Sequence, residues 1–255
     1  LKKQQALRYG ENGHQSACLY TTADYKGAFG GMKQLQGKEL SYNNIRDLDV
    51  AWKGVCAYSR FIKNAEPVSG VDTEGNAVVA NFASAAGSVF TIALKHNTPC
   101  GAALGKNVLD SYKKTYNCDS TSIFGGIVGC SSVIDEEAAL EMSKCFLEVI
   151  VAPGFTDEAL KVFAAKKNLR LVVAEIPAED THSYLSVDGG FLIQSNDNKL
   201  FEKWDVVTKA KPAPSQINEM AFGMTIAMFA KSNAILVIKD QAAIGIGCGQ
   251  TNRLW

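Results

Sequence analysis

Between residues 88 and 174 short apolar runs alternate with amphipathic stretches of helical period, and no other feature of this chain restricts its fold as tightly. Runs rich in Val, Ile and Phe at 88–95, 126–130, 149–152 and 169–174 have the length of strands. Segments 105–114, 135–147 and 156–167 have the length and spacing of helices. Thr156 followed by Asp157 and Glu158 reads as a helix start, because a hydroxyl accepts from orphan N–H groups and acidic side chains favour the positive end of the helix dipole. Strands and helices in this alternation predict a layered α/β sheet with helices on its faces.

The pattern extends in both directions. Upstream, residues 44–61 place Ile45, Leu48, Ala51, Trp52, Val55 and Cys56 at steps of three and four, a helix with Asn44 expected as N-cap and Asp47 as its N3 partner. Residues 77–82 read as one more strand. Downstream of Glu175 the pattern loosens through a turn-rich stretch containing Asp188-Gly189-Gly190. A helix over 215–231 and strands over 234–238 and 242–246 follow. This organisation predicts a first subdomain over 1–185 and a second over 186–255, the second holding too few elements to close a core and read as truncated at Trp255.

Composition excludes several functions. With 26 basic and 26 acidic side chains the chain has no global field to hold nucleic acid or an anionic membrane, so any bound anion needs a local site. The uncharged run 77–94 is interrupted by Asn81, Ser84, Gly87, Ser88 and Thr91, which makes it two strands rather than a membrane span. Seven cysteines without a Cys-x-x-Cys pair predict reduced thiols in a cytoplasmic protein.

Chemistry concentrates in a few segments. Lys95-His96-Asn97-Thr98-Pro99-Cys100-Gly101 follows a buried strand, where open α/β sheets present ligands at the carboxyl ends of their strands. An imidazole there can take up a proton near neutral pH, and the adjacent ammonium can donate one or stabilise an oxyanion. Spacing alone leaves open a plain strand-end turn, or a Cys100–His96 nucleophile pair. The zinc-deaminase pattern needs a His-x-Glu and a second cysteine three residues after the first; the first is absent and the second position is Ala103, so no catalytic metal is expected. Near the start, Arg8-Tyr9 opens a dense polar segment that could clamp a phosphate and stack on a flat heterocycle. Ser122-Ile123-Phe124-Gly125-Gly126 offers an aromatic and a glycine pair before a strand. Gly245-Ile246-Gly247-Cys248-Gly249 lacks the helix a dinucleotide loop requires, and Arg253 beyond it is a candidate phosphate grip.

Together, segments 7–15, 40–49, 95–101, 122–128, 150–154, 231–234 and 244–253, in this order, resemble AICAR transformylase, the formyltransferase portion of the bifunctional purine-biosynthesis family whose other portion is inosinate cyclohydrolase. Gly13 stands where that family usually has proline, and Thr251-Asn252 precede the arginine in place of its usual pair. The resemblance implies formyl transfer from 10-formyltetrahydrofolate to AICAR. Lys95 and His96 would be catalytic and Asn233 would orient the substrate amide. Arg8 and Tyr9 would hold the ribotide phosphate, and Asn44, Phe124, Gly125 and Lys166 would line the nucleotide pocket. Glu148 would supply a carboxylate and Arg253 a further anion contact. It also implies paired cytidine-deaminase-like α/β units without a metal, in a homodimer with active sites between subunits. The alternative functions are a non-catalytic ribotide-binding relative and a Cys100–His96 thiol enzyme.

Overall fold

The computed structural model describes residues 2–21, 27–63, 67–80, 87–175, 182–197 and 199–254. The chain begins with a hairpin of β1 (Lys2–Leu7) and β2 (Ala17–Thr21), a single turn α1 (Ala28–Gly31) and β3 (Lys33–Gln36). Helix α2 (Tyr42–Tyr58) continues as a π-helical turn over Ser59–Lys63, and β4 (Val68–Val71) pairs with β5 (Ala77–Ala80). The central part runs β6 (Val89–Lys95), β7 (Thr98–Gly105), α3 (Val108–Cys118), β8 (Gly126–Cys130), α4 (Glu136–Met142), β9 (Leu147–Ala152), α5 (Asp157–Phe163) and β10 (Arg170–Val173). A separate hairpin, β11 (His182–Val187) with β12 (Gly190–Ser195), precedes α6 (Pro214–Ala227) and the pair β13 (Ile235–Lys239) and β14 (Ala242–Gly247).

Eight strands form one mixed sheet in the order β13-β14-β7-β6-β8-β9-β10-β3. Strands β8, β9 and β10 are mutually parallel and the other pairings are antiparallel. Alternation along the strands feeds two cores. Ile92, Leu94, Val149 and Val151 pack with Leu48, Trp52 and Val55 of α2 and Phe222 and Ile226 of α6. Ala93, Val128 and Ile150 pack on the opposite face with Tyr112 of α3, Met142 of α4 and Phe163 of α5. The expected layered α/β architecture is therefore present, with helices on both faces.

Several local expectations change: the helices expected over 135–147, 156–167 and 215–231 end earlier, at Met142, Phe163 and Ala227. Helix α2 is capped by Ser41, whose hydroxyl accepts from Asn44 N–H while Asn44 Oδ1 accepts from Ser41 N–H, so Asn44 is the partner in the capping box rather than the cap. Asp47 is thereby left out of the box and turns to another strand end. The helix expected over 105–114 starts later, at Val108, because the Asn107 side chain accepts from Asp110 N–H and ends the preceding strand. That strand, β7, is the main element the pattern does not reveal: its proline and two glycines are poor strand formers. The glycines are there for packing, since a Cβ on Gly101 would lie 2.4 Å from Thr115 O and one on Gly105 2.2 Å from Ser111 N, both in α3.

Strands β13 and β14 join the same sheet through Ala242 opposite Ala103 of β7. The division into 1–185 and 186–255 stays an expectation, with part of each proposed unit contributing to this sheet. Residues 81 and 82 of the expected 77–82 strand, residues 176–181 and 198 near the expected boundary, and Trp255 lie outside the described residues. Among the described residues no helix is long and apolar enough to cross a membrane.

Candidate active site

Strand direction and register bring the candidate residues to one edge of the sheet. Leu94 opposite Ile127 sets the end of β6 beside the start of β8, and the parallel pairs Gly126–Leu147 and Val149–Arg170 put the starts of β9 and β10 at that same edge. Because β14 runs antiparallel to β7 from Ala242, its Gly247 end points the same way, with Ile235 of β13 beside it. The parallel strands β8, β9 and β10 offer their amino ends here, while β6 and β14 arrive by their carboxyl ends, so the Lys95–His96 segment does follow the carboxyl end of its strand as expected. Between β14 and β10 lie five strand spacings, on the order of 24 Å, so one small molecule cannot span all the candidates within one sheet.

The first turns of α2 tie three segments together. Asn44, buried by the capping box, donates from Nδ2 to Glu148 Oε2 at 2.7 Å. Arg170, 9% exposed, has Nη1 3.8 Å from the same carboxylate oxygen and donates from Nε to the carbonyls of Lys38 and Glu39. Glu11 of the polar segment near the start pairs with Arg46 at 3.1 Å and accepts through its carbonyl from Asn43, which brings the neighbourhood of Arg8 and Tyr9 to the same helix. Asp47 Oδ1 accepts from Asn97 N–H at 2.7 Å.

Lys95 and His96 sit where β6 turns into β7. Lys95 Nζ donates to the carbonyl of Phe124 at 2.8 Å. The Phe124 ring, 58% exposed, leans on Phe146 with centroids 5.3 Å apart. Gly125 adopts φ +72° and donates to Phe146 O at 2.7 Å, a backbone shape that favours glycine. His96 is exposed at the hairpin tip, and among the described residues its imidazole has no hydrogen-bond partner.

The remaining candidates form separate groups. Asn233 donates from Nδ2 to Gln250 O at 2.9 Å and accepts on Oδ1 from Arg253 Nε at 3.0 Å, so its amide is engaged within the chain. The Arg8 guanidinium lies 4.9 Å over the Tyr9 ring with Nη2 3.2 Å from the hydroxyl, pairing the two with each other. Lys166 is exposed in the turn before β10, its carbonyl accepting from Gln36 Nε2 and Leu169 N–H. Cys100 is no ready nucleophile: burial, helped by Asp119, pushes its thiol up to about 12, and Sγ points at Ala93 O. Among the described residues no group of three or more His, Cys, Asp or Glu side chains could hold a metal ion.

A family model described as AICARFT/IMPCHase bienzyme matches residues 1–255. This chain belongs to that family. The bifunctional purine biosynthesis protein PurH of Clostridium acetobutylicum is 48% identical over 254 residues, and that of Brachyspira hyodysenteriae 45% identical over 252. These alignments cover 100% and 99% of this chain and 45% of each relative, so the chain spans just under half the length of the relatives it matches.

Within the AICARFT/IMPCHase chain, two residues of the edge escaped sequence reasoning. Arg170 is one of only five arginines and opens a buried strand, which was the available signal; its link to Glu148 depends on sheet order. Asp47 was read as a capping residue, and only the hairpin that brings Asn97 beside it shows otherwise.

Proposed function

We propose that this chain carries the formyl-transfer part of its family's chemistry, moving the formyl group of 10-formyltetrahydrofolate to the exocyclic amine of AICAR. One arrangement supports the reading most: the Lys95–His96 hairpin end stands mid-edge, with Asn44, Glu148 and Arg170 on one side and Asn233 with Arg253 on the other. Reacting groups flanked by binding groups are what a two-substrate transfer requires.

The amine is a poor nucleophile because its lone pair is conjugated with the carboxamide-bearing ring. As its nitrogen bonds to the formyl carbon, His96 takes the amine proton. Lys95 stabilises the tetrahedral oxyanion, and the bond from carbon to the folate N10 then breaks as Lys95 protonates that nitrogen. The products are formyl-AICAR and tetrahydrofolate. An ammonium has three donors, so the bond from Lys95 to Phe124 O aims the group while leaving others for substrate. Phe124 and Gly125 would wall the ribotide, Asn44 and Glu148 would hold its polar edge with Lys166 beyond them, and Arg8, Tyr9 and Arg253 would meet anionic groups. For Asn233 to orient the substrate amide, it would exchange one of its present partners and, lying about four strand spacings from Glu148, act from the other subunit of the homodimer.

The same reading takes the mixed sheet as a cytidine-deaminase-like unit without a catalytic metal, in a cytoplasmic homodimer with folate bound as co-substrate. The test is turnover of AICAR and 10-formyltetrahydrofolate by His96→Ala and Lys95→Ala, expected to fall by about 10²- to 10⁴-fold. Wild-type turnover in His96→Ala would remove the base assignment.

A further inference from the structure

We propose that Asp47 is a positioning residue for His96, its carboxylate setting, through Asn97 N–H, the direction in which the imidazole leaves the hairpin tip. The proposal rests on the reading of His96 as the base.

The β6–β7 connection consists of His96 and Asn97, with φ of +55° and +58°, between the paired residues Lys95 and Thr98. Two consecutive left-handed residues are the signature of the tight hairpin turn that normally uses Asn-Gly. Asparagine and histidine enter that region more often than most residues with a Cβ, though still at some cost that the surroundings must offset. In such a turn the closing bonds come from the flanking pair, so the N–H of the second loop residue is left without a ladder partner. Here that N–H donates to Asp47 Oδ1 at 2.7 Å.

The bond acts on His96 through geometry. Asn97 N–H belongs to the peptide that joins the two residues, so holding it holds ψ of His96 and the direction of its Cα–Cβ bond. Nothing else among the described residues holds the ring. Asp47, in contrast, is on a rigid support: α2 is fixed at its start by the Ser41–Asn44 box and along its length by buried Leu48, Ala51 and Trp52. A base that must meet one amine proton loses rate steeply with small misplacement.

The experiment combines NMR with kinetics. The chain has three histidines, at 14, 96 and 182, so the His96 resonances are readily assigned. In Asp47→Ala the Asn97 amide should exchange about tenfold faster and the Hα–Hβ couplings of His96 should average. With both substrates, kcat should fall on the order of 10- to 100-fold while KM for AICAR stays within about twofold. Asp47→Asn keeps an acceptor oxygen and should restore most of both signals; Asp47→Ser, too short to reach, should reproduce the loss if the alanine variant is unstable. In a His96→Ala background Asp47→Ala should cost nothing further in kcat. Unchanged exchange and couplings in Asp47→Ala overturn the proposal, as does a full additional loss of kcat in the His96→Ala background. Wild-type turnover in His96→Ala overturns instead the base reading, and the NMR signals still decide whether Asp47 sets the ring.

Discussion

The Asn44–Glu148–Arg170 group and the Asn233–Arg253 pair lie on the same edge of one sheet and are built in opposite ways. In the first, Arg170 is buried and anchored by two backbone carbonyls, and Asn44 is locked by a capping box. In the second, an exposed arginine and a half-buried amide hold each other beside the outermost strand of the sheet. A buried polar group without its partner bears its full desolvation penalty, whereas an exposed one takes water instead. The first group is therefore preorganised and inseparable from stability, and the second is free to trade its partners for a ligand's.

The contrast can be broken by experiment. Its largest expected effect is in thiol reactivity. Half-buried Cys100, its thiol pushed up to about 12 by desolvation and by Asp119, holds far less thiolate than an ordinary cysteine. It should alkylate far more slowly than Cys248, which lies next to the marginal pair, as mass spectrometry of iodoacetamide-treated native protein would report. Equal rates would mean that the hairpin interior opens readily. Next, Arg170→Ala should destabilise the fold by about 2–4 kcal/mol in urea unfolding, while Asn233→Ala should stay within about 0.5 kcal/mol. Similar losses would erase the distinction. The smallest effect is at Phe124: removing a mostly exposed ring should cost less than about 1 kcal/mol of stability. It should weaken AICAR binding about tenfold by calorimetry, the loss of one stacking face.

These two groups also differ in how legible they were. The sheet was readable wherever strands were apolar and flanked by helices with caps, as at β6, β8, β9 and β10, because burial on both faces and a 3.6-residue period leave distinct signals. Strand β7 was missed because its glycines answer to contact with α3 rather than to strand preference. Hairpins β1–β2 and β11–β12 lack clean alternation because no helix-covered core selects their faces. For the site, residue types pointed to Lys95 and His96 and the family resemblance to Asn44 and Glu148, but the partnership of Glu148 with Arg170 and of Asp47 with Asn97 spans distant segments that only sheet order joins. Lys95 and His96 do follow the carboxyl end of β6, but the pattern left unread that β6 meets β8 antiparallel, which sets that end beside the amino ends of β8, β9 and β10.

The central claim is that the two substrates meet at the hairpin end. A crystal structure of the protein with AICAR bound tests this most directly. The ribotide is expected along the β6–β8–β9 edge, its exocyclic amine within hydrogen-bonding reach of the His96 imidazole and its ring against Phe124. Ribotide bound elsewhere, for example in the groove between α6 and β13 lined by Met220, Met224 and Ile235, with His96 and Lys95 untouched, would contradict it.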